Sequence, residues 1–170
     1  MTIEAQGEVA QGGGIRYGMI GGGRGAFIGS VHRKAIAMDG LAELAAGCFS
    51  TDYENTLETG LSLGLPRDRL YRDYRRMLRA EARRPDPIDF VVIVTPNRSH
   101  YPIARLALEH GFHVVCDKPL ATSSTEARAL GALAKKTRRL FAVTYAYSAY
   151  PMVRASSTLR NPAGPPRCWT

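Results

Sequence analysis

The chain has 170 residues, 23 Lys and Arg against 15 Asp and Glu for a formal charge of +8, and 45% hydrophobic residues. That length accommodates one soluble α/β domain with a sizeable core, and no run approaches the roughly 20 apolar residues that span a bilayer. Cys48, Cys116 and Cys168 are an odd number without metal-ligand spacing, and two of them sit in strand-like runs, so buried free thiols are expected rather than a disulfide framework. The cation excess admits a nucleic-acid binder, but the arginines between Arg67 and Arg84 are interrupted by Asp68, Asp73 and Glu81, the pattern of a solvated helix face.

Residues 1–14 are polar and end in Gly12-Gly13-Gly14, without a basic n-region or an apolar h-region. They are expected to form a loose leader and no secretory signal, with the cytoplasm as default compartment. From Ile15 a short apolar strand enters Gly21-Gly22-Gly23-Arg24-Gly25-Ala26, and a helix is expected over 28–38. Gly21, Gly23 and Ala26 fit the spacing G-x-G-x-x-G/A. Gly21 can turn tightly, Gly23 lets main-chain N–H groups approach a pyrophosphate, and Ala26 lets the helix pack on the strand with its positive end toward the anion. Arg24 and Gly25 lie in the same turn. A flexible glycine turn with no ligand is the alternative reading of this spacing alone.

Apolar strands and helical periods then alternate, as in a doubly wound parallel sheet. Strands are expected over 41–49, 70–71, 89–95, 112–116 and 140–145, and helices over 53–63, 74–82, 100–110 and 127–136. The run Phe90-Val91-Val92-Ile93-Val94 reads as a central buried strand. Gly111 closes the helix before it, and residues 122–126 offer hydroxyl caps for the helix after them. With the first strand this makes six, in the Rossmann order 3-2-1-4-5-6, over residues 15–150.

Three segments carry a resemblance: Gly18-Met19-Ile20-Gly21-Gly22-Gly23, Thr95-Pro96-Asn97-Arg98-Ser99-His100 and Cys116-Asp117-Lys118-Pro119-Leu120. Each falls at the carboxyl end of an expected strand, where open parallel sheets bind ligands. Together, over about residues 16–154, they resemble the N-terminal domain of the family of glucose-fructose oxidoreductase, inositol dehydrogenase and the MocA-type rhizopine enzymes. The resemblance implies a nicotinamide cofactor and oxidation of a sugar, cyclitol or related alcohol. It implies that Lys118, in a variant of the family's Glu-Lys-Pro motif, lies beside the nicotinamide and helps move the substrate proton. It implies that Asp117, one methylene shorter than the family's glutamate, meets the nicotinamide ribose. Thr95, Pro96, Asn97 and His100 are implied to line the cofactor, and Tyr145 and Tyr147 fall where the family places residues near the nicotinamide.

The choice between NAD and NADP rests on the end of the second strand, where an acid would accept the adenosine ribose. Phe49-Ser50-Thr51 stands there and Asp52 comes late, so Ser50 and a neutralising Arg24 tilt the expectation of NAD(P) toward NADP. Such enzymes continue into a second α/β domain. Here residues 151–170 are expected to be the start of a linker helix followed by an irregular Pro/Gly tail, which predicts a truncated chain that binds cofactor with little or no turnover. A small polyol or sugar would then be a partner only with a second domain supplied. A non-catalytic NAD(P)-binding sensor is the alternative, and a basic nucleic-acid binder ranks last because it leaves the strand-end motifs unused.

Overall fold

Successive side chains of a strand point to opposite faces of its sheet, and the apolar strands of this chain therefore need cover on both sides. The computed structural model describes residues 14–151. Residues 1–13, Cys168 and the expected linker entry at Met152-Val153-Arg154 lie outside the described residues. Strand β1 (Ile15–Gly21) leads through helix α1 (Phe27–Ala37) to β2 (Ala42–Cys48), then α2 (Tyr53–Ser62) and α3 (Tyr74–Glu81). The chain continues through β3 (Phe90–Val94), α4 (His100–Glu109), β4 (His113–Cys116), α5 (Ser124–Thr137) and β5 (Phe141–Val143).

The strands form one sheet in the order β2-β1-β3-β4-β5, and every neighbouring pair is parallel. Val91 and Ile93 pack with Ile20, Met77, Leu108 and Leu130 on the face covered by α3, α4 and α5. Val92 and Val94 pack with Tyr17 and Met19 on the other face, against Ile28, Ile36 and Leu57 of α1 and α2. Both faces of β3 are thus buried, as its unbroken apolar run requires.

The expected third strand at Leu70-Tyr71 is a correction. It is a single bridge, Gly47 to Leu70, on the outer edge of β2. A 3-10 turn over Arg67–Arg69 precedes it, and Asp73 caps α3 by accepting from the Arg76 N–H at 2.8 Å. The three residues 70–72 between the turn and the helix cap cannot propagate a ladder. The order of the remaining strands is the expected one.

Arg67, Arg72, Arg75, Arg76, Arg79 and Arg83 are exposed, as on the expected solvated face, and Arg69 departs from it. Arg69 is buried and donates to Glu81 Oε2 at 3.0 Å, while the Tyr71 hydroxyl donates to Glu81 Oε1 at 2.7 Å. Arg84 reaches Asp68 and Asp86, each at 3.1 Å, and Asp86 also meets Arg16 of β1 at 3.1 Å. Arg72 lies over the Tyr53 ring at 4.0 Å and Arg75 over Tyr74 at 4.8 Å. A buried carboxylate and guanidinium are tolerated only when paired. This network ties α3 to the start of β1 and takes Arg69 and Arg84 out of the cationic face.

Cys48 and Cys116 are free and buried. Burial pushes both thiols up from 9.0 to about 12, with Asp73 adding to the effect at Cys48 and Asp117 at Cys116. The thiolate is the reactive form, so both are expected to resist alkylation at neutral pH until the chain unfolds, as peptide mass mapping before and after denaturant will show. Between pH 9.0 and about 12 the folded thiols hold protons that the unfolded chain releases. Stability is therefore expected to fall as pH rises through that window.

Candidate cofactor site

The crossover from β1 runs one way along the sheet and that from β3 runs the other, so their carboxyl ends flank a topological switch point. The turn after β1 sits at this edge with the loops that follow β2, β3, β4 and β5. Every residue the sequence nominated lies on one of these loops or at its base.

Gly21, Gly22 and Gly25 hold φ of 87°, 75° and 86°, a region that costs other residues strain. The tightest contact runs between Gly22 and Gly29: a Cβ on Gly22 would lie 2.7 Å from the Gly29 Cα, and one on Gly29 would strike the Gly22 Cα and carbonyl. Helix α1 thus meets the turn backbone to backbone. The sequence spacing assigned that close packing to Ala26, but Ala26 is exposed and serves as the N-cap residue of α1. Gly29, three residues later, makes the contact, and its signal was a second small residue within the helix. Arg33 of α1 reinforces it by donating to the Gly22 carbonyl at 2.9 Å.

Gly23 faces β2: its N–H donates to the Phe49 carbonyl at 3.1 Å, and a Cβ there would stand 2.5 Å from Asn55 Oδ1. Its lack of a side chain serves packing against the end of β2 and α2. Asn55 grips the next peptide from both sides, accepting from the Arg24 N–H at 2.9 Å and donating to the Arg24 carbonyl at 3.1 Å. Thr59 accepts from the same N–H at 3.0 Å. The sequence reading did not single out Asn55, Thr59 or Arg33, because polar residues on a helix carry no sign of which loop they meet. A cavity of about 480 Å³ opens beside the turn, between Arg24, Ser30, Arg33, Glu58 and Thr59.

The Arg24 guanidinium pairs with Glu58 at 2.8 Å, both exposed. The Ser50 hydroxyl accepts from the Asp52 N–H at 3.1 Å, and the Asp52 carboxylate caps α2 by accepting from the Glu54 N–H at 3.1 Å. Asp52 is thereby engaged with its own helix.

Asp117 accepts from the Thr144 hydroxyl at 3.0 Å, and its Oδ1 stands 3.7 Å from Nε2 of the buried His32 on α1. Lys118 is exposed beside it and precedes a cis Pro119. Among the described residues no hydrogen bond or ion pair holds its ammonium group. Pro96 and Asn97 are exposed, while Thr95 accepts from the Ser99 hydroxyl at 2.8 Å. His100 is 0% exposed, with Nδ1 2.7 Å from the Pro119 carbonyl and Nε2 2.8 Å from the Thr95 carbonyl. Tyr145 and Tyr147 are exposed after β5.

A dinucleotide fits this edge. The cradle of Gly21, Gly22 and Gly29 is one that Cβ atoms would fill, and α1 begins with no side-chain cap, so the N–H groups of its first turn face the edge for an anion. Among the described residues no cluster of metal-ligating side chains occurs, and no helix is long and apolar enough to cross a membrane. Gly29→Ala is expected to lower both the melting temperature and NADH affinity, the latter at least about tenfold. Ala26→Gly should change affinity less than about threefold, with thermal melts and fluorescence titration as the measurements.

Residues 15–145 match the model of an oxidoreductase family with an NAD-binding Rossmann fold. An uncharacterized oxidoreductase of Bacillus subtilis, YfiI, is 41% identical over 140 residues, covering 82% of this chain and 36% of that protein. D-apiose dehydrogenase of Paraburkholderia graminis is 37% identical over 95 residues, 56% of this chain and 23% of that protein. The crystal structure of an inositol dehydrogenase homolog from Azotobacter vinelandii, complexed with NADH and myo-inositol, superposes with a TM-score of 0.82 at 42% identity, over 86% of this chain and 39% of that one. The chain thus spans less than half the length of these relatives. It belongs to the glucose-fructose oxidoreductase, inositol dehydrogenase and MocA family, as its NAD-binding Rossmann domain.

Proposed function

We propose that this chain is the cofactor half of a dehydrogenase for a sugar, cyclitol or related alcohol. One observation supports it most: the glycine cradle after β1 and the Asp117-Lys118 loop after β4 open on the same edge of the sheet, bridged by His32 and Asp117 at 3.7 Å. In this reading the first-turn amides of α1 hold the pyrophosphate, Asp117 accepts from the nicotinamide ribose, and Thr95, Pro96 and Asn97 flank the nicotinamide. Ser50 and Arg24 lie toward the adenosine ribose. Residues 15–150 form the cofactor domain of a cytoplasmic protein.

The nicotinamide, when bound, supplies the hydride acceptor or donor at its C4 atom. Lys118 Nζ takes or returns the hydroxyl proton of the substrate alcohol. Asp117, fixed by Thr144, orients the cofactor so that one ring face meets the substrate. The relatives' greater length supports a second source of substrate contacts. We accordingly expect the 170-residue chain to bind cofactor without steady-state turnover of sugars or inositols.

Fluorescence titration of the chain with NADH tests the reading: saturable quenching or enhancement supports it, and no binding overturns it. Lys118→Ala should leave NADH affinity within about threefold, since its role is in proton transfer rather than in holding phosphate. Saturable binding to DNA at physiological salt would favour the nucleic-acid alternative instead.

The preference between NAD and NADP turns on Arg24. Glu58, 2.8 Å away, competes with a 2′-phosphate for the guanidinium, which offsets the expected lean toward NADP and leaves the partner as NAD(P). An exposed ion pair is weak. Glu58→Gln is therefore expected to shift the NADPH-to-NADH affinity ratio toward NADPH by about fivefold, and Arg24→Ala to remove that shift.

A further inference from the structure

His100 has no solvent exposure and stands between two main-chain carbonyls, Pro119 O at 2.7 Å from Nδ1 and Thr95 O at 2.8 Å from Nε2. Carbonyl oxygens only accept. Which of the two carbonyls receives a hydrogen from a neutral ring depends on the tautomer, and in either tautomer the ring stays wedged between the two segments. Thr95 ends the central strand β3 and opens one loop of the site, while Pro119 follows Lys118 directly in the other. The two loops leave neighbouring strands, and their own backbones share the bond from the Asp117 N–H to the Ile93 carbonyl at 2.9 Å. Beyond that bond, His100 joins them through its side chain. Charged groups on the joined segments are Asp117 and Lys118 on one side and Arg98 on the other, with Tyr101 next along α4.

We propose that His100 is a positioning residue: its ring, within hydrogen-bond distance of a carbonyl on each segment, locks the Lys118 loop to the Thr95 loop and so fixes the nicotinamide end of the site without touching the cofactor. This rests on the cofactor reading above. It assigns His100 a place behind the site, where the family resemblance would set it along the cofactor. The adenosine end, held by the glycine turn, Asn55 and α2, has no contact with the ring and stays in place without it.

His100→Phe keeps a planar ring and removes both ring nitrogens. Binding of NADH is compared with that of ADP-ribose, which carries the adenosine and both phosphates but no nicotinamide, each measured on the unaltered chain and the variant. The expected result is an NADH affinity lowered about tenfold with ADP-ribose affinity within about twofold of the original. Equal loss for both ligands, or no loss for either, overturns the proposal, since general unfolding strikes both alike. If the variant fails to fold, His100→Gln, which keeps a side-chain donor, decides by the same pair of ligands: a selective loss of NADH affinity supports the bridge, and equal loss or no loss overturns it. An unaltered chain that takes neither NADH nor ADP-ribose fails the cofactor reading itself, and the bridge is then tested by amide hydrogen exchange: faster exchange at Asp117 and Lys118 in the variant with none at Gly23 and Arg24 supports it, and an equal change or no change at both overturns it.

Discussion

Where α1 crosses the end of β1, two backbones meet with no side chain between them. Gly22 and Gly29 approach so closely that a Cβ on either would collide with the other's main chain, and Arg33 adds a bond to the Gly22 carbonyl. The rest of the site follows from this contact. It sets the direction in which the first turn of α1 points, and it places His32, one turn further along the helix, against Asp117 on the far side of β3. The cradle and the Asp117-Lys118 loop therefore share a common strut. A displacement of α1 would move both ends of the proposed cofactor site at once, although they lie nearly a hundred residues apart in sequence.

The turn is also held from the opposite side. Asn55 and Thr59 of α2 use their side chains as a main chain would be used in a sheet, taking the Arg24 N–H and supplying a donor to its carbonyl. A glycine turn free on both sides would have to be ordered by its ligand, at a cost in conformational entropy. Held by α1 beneath and α2 beside, it is ordered beforehand. The charged network around Glu81 serves the same end at a distance: it anchors α3 and the segment before β3 to Arg16 at the opposite end of β1.

Much of the architecture could be read from periodicity, because burial on both faces leaves a plain mark. Phe90–Val94 was expected within a residue of its observed ends, and Gly111, with φ of 85°, closes α4 as a left-handed cap. The strand at Leu70 could not be read correctly, since apolar character does not reveal that a 3-10 turn and a helix cap leave room for only one bridge. Arg69 was hidden for a related reason. It precedes α3, outside any helical period, and only the folded turn directs it inward to Glu81. At the site, motif spacing located the turn but chose Ala26 over Gly29, because a linear pattern cannot count the extra residues by which this turn bulges before α1 begins. His100 was found by its motif, but sequence could not show that its ring is fully buried between two main-chain carbonyls.

The exposure of Lys118 bears on how labour is divided in the proposed reaction. Proton transfer beside a nicotinamide is served by a site from which water is excluded. Here the loops fix the lysine's backbone through Pro119, His100 and the Asp117–Thr144 bond, yet they build no wall around its side chain. Position and enclosure thus come from different sources. The domain supplies the first through rigid contacts already made. On the proposed reading the second comes from the bound cofactor and from the additional length that the relatives possess, so affinity for cofactor and competence for turnover are expected to separate in this chain.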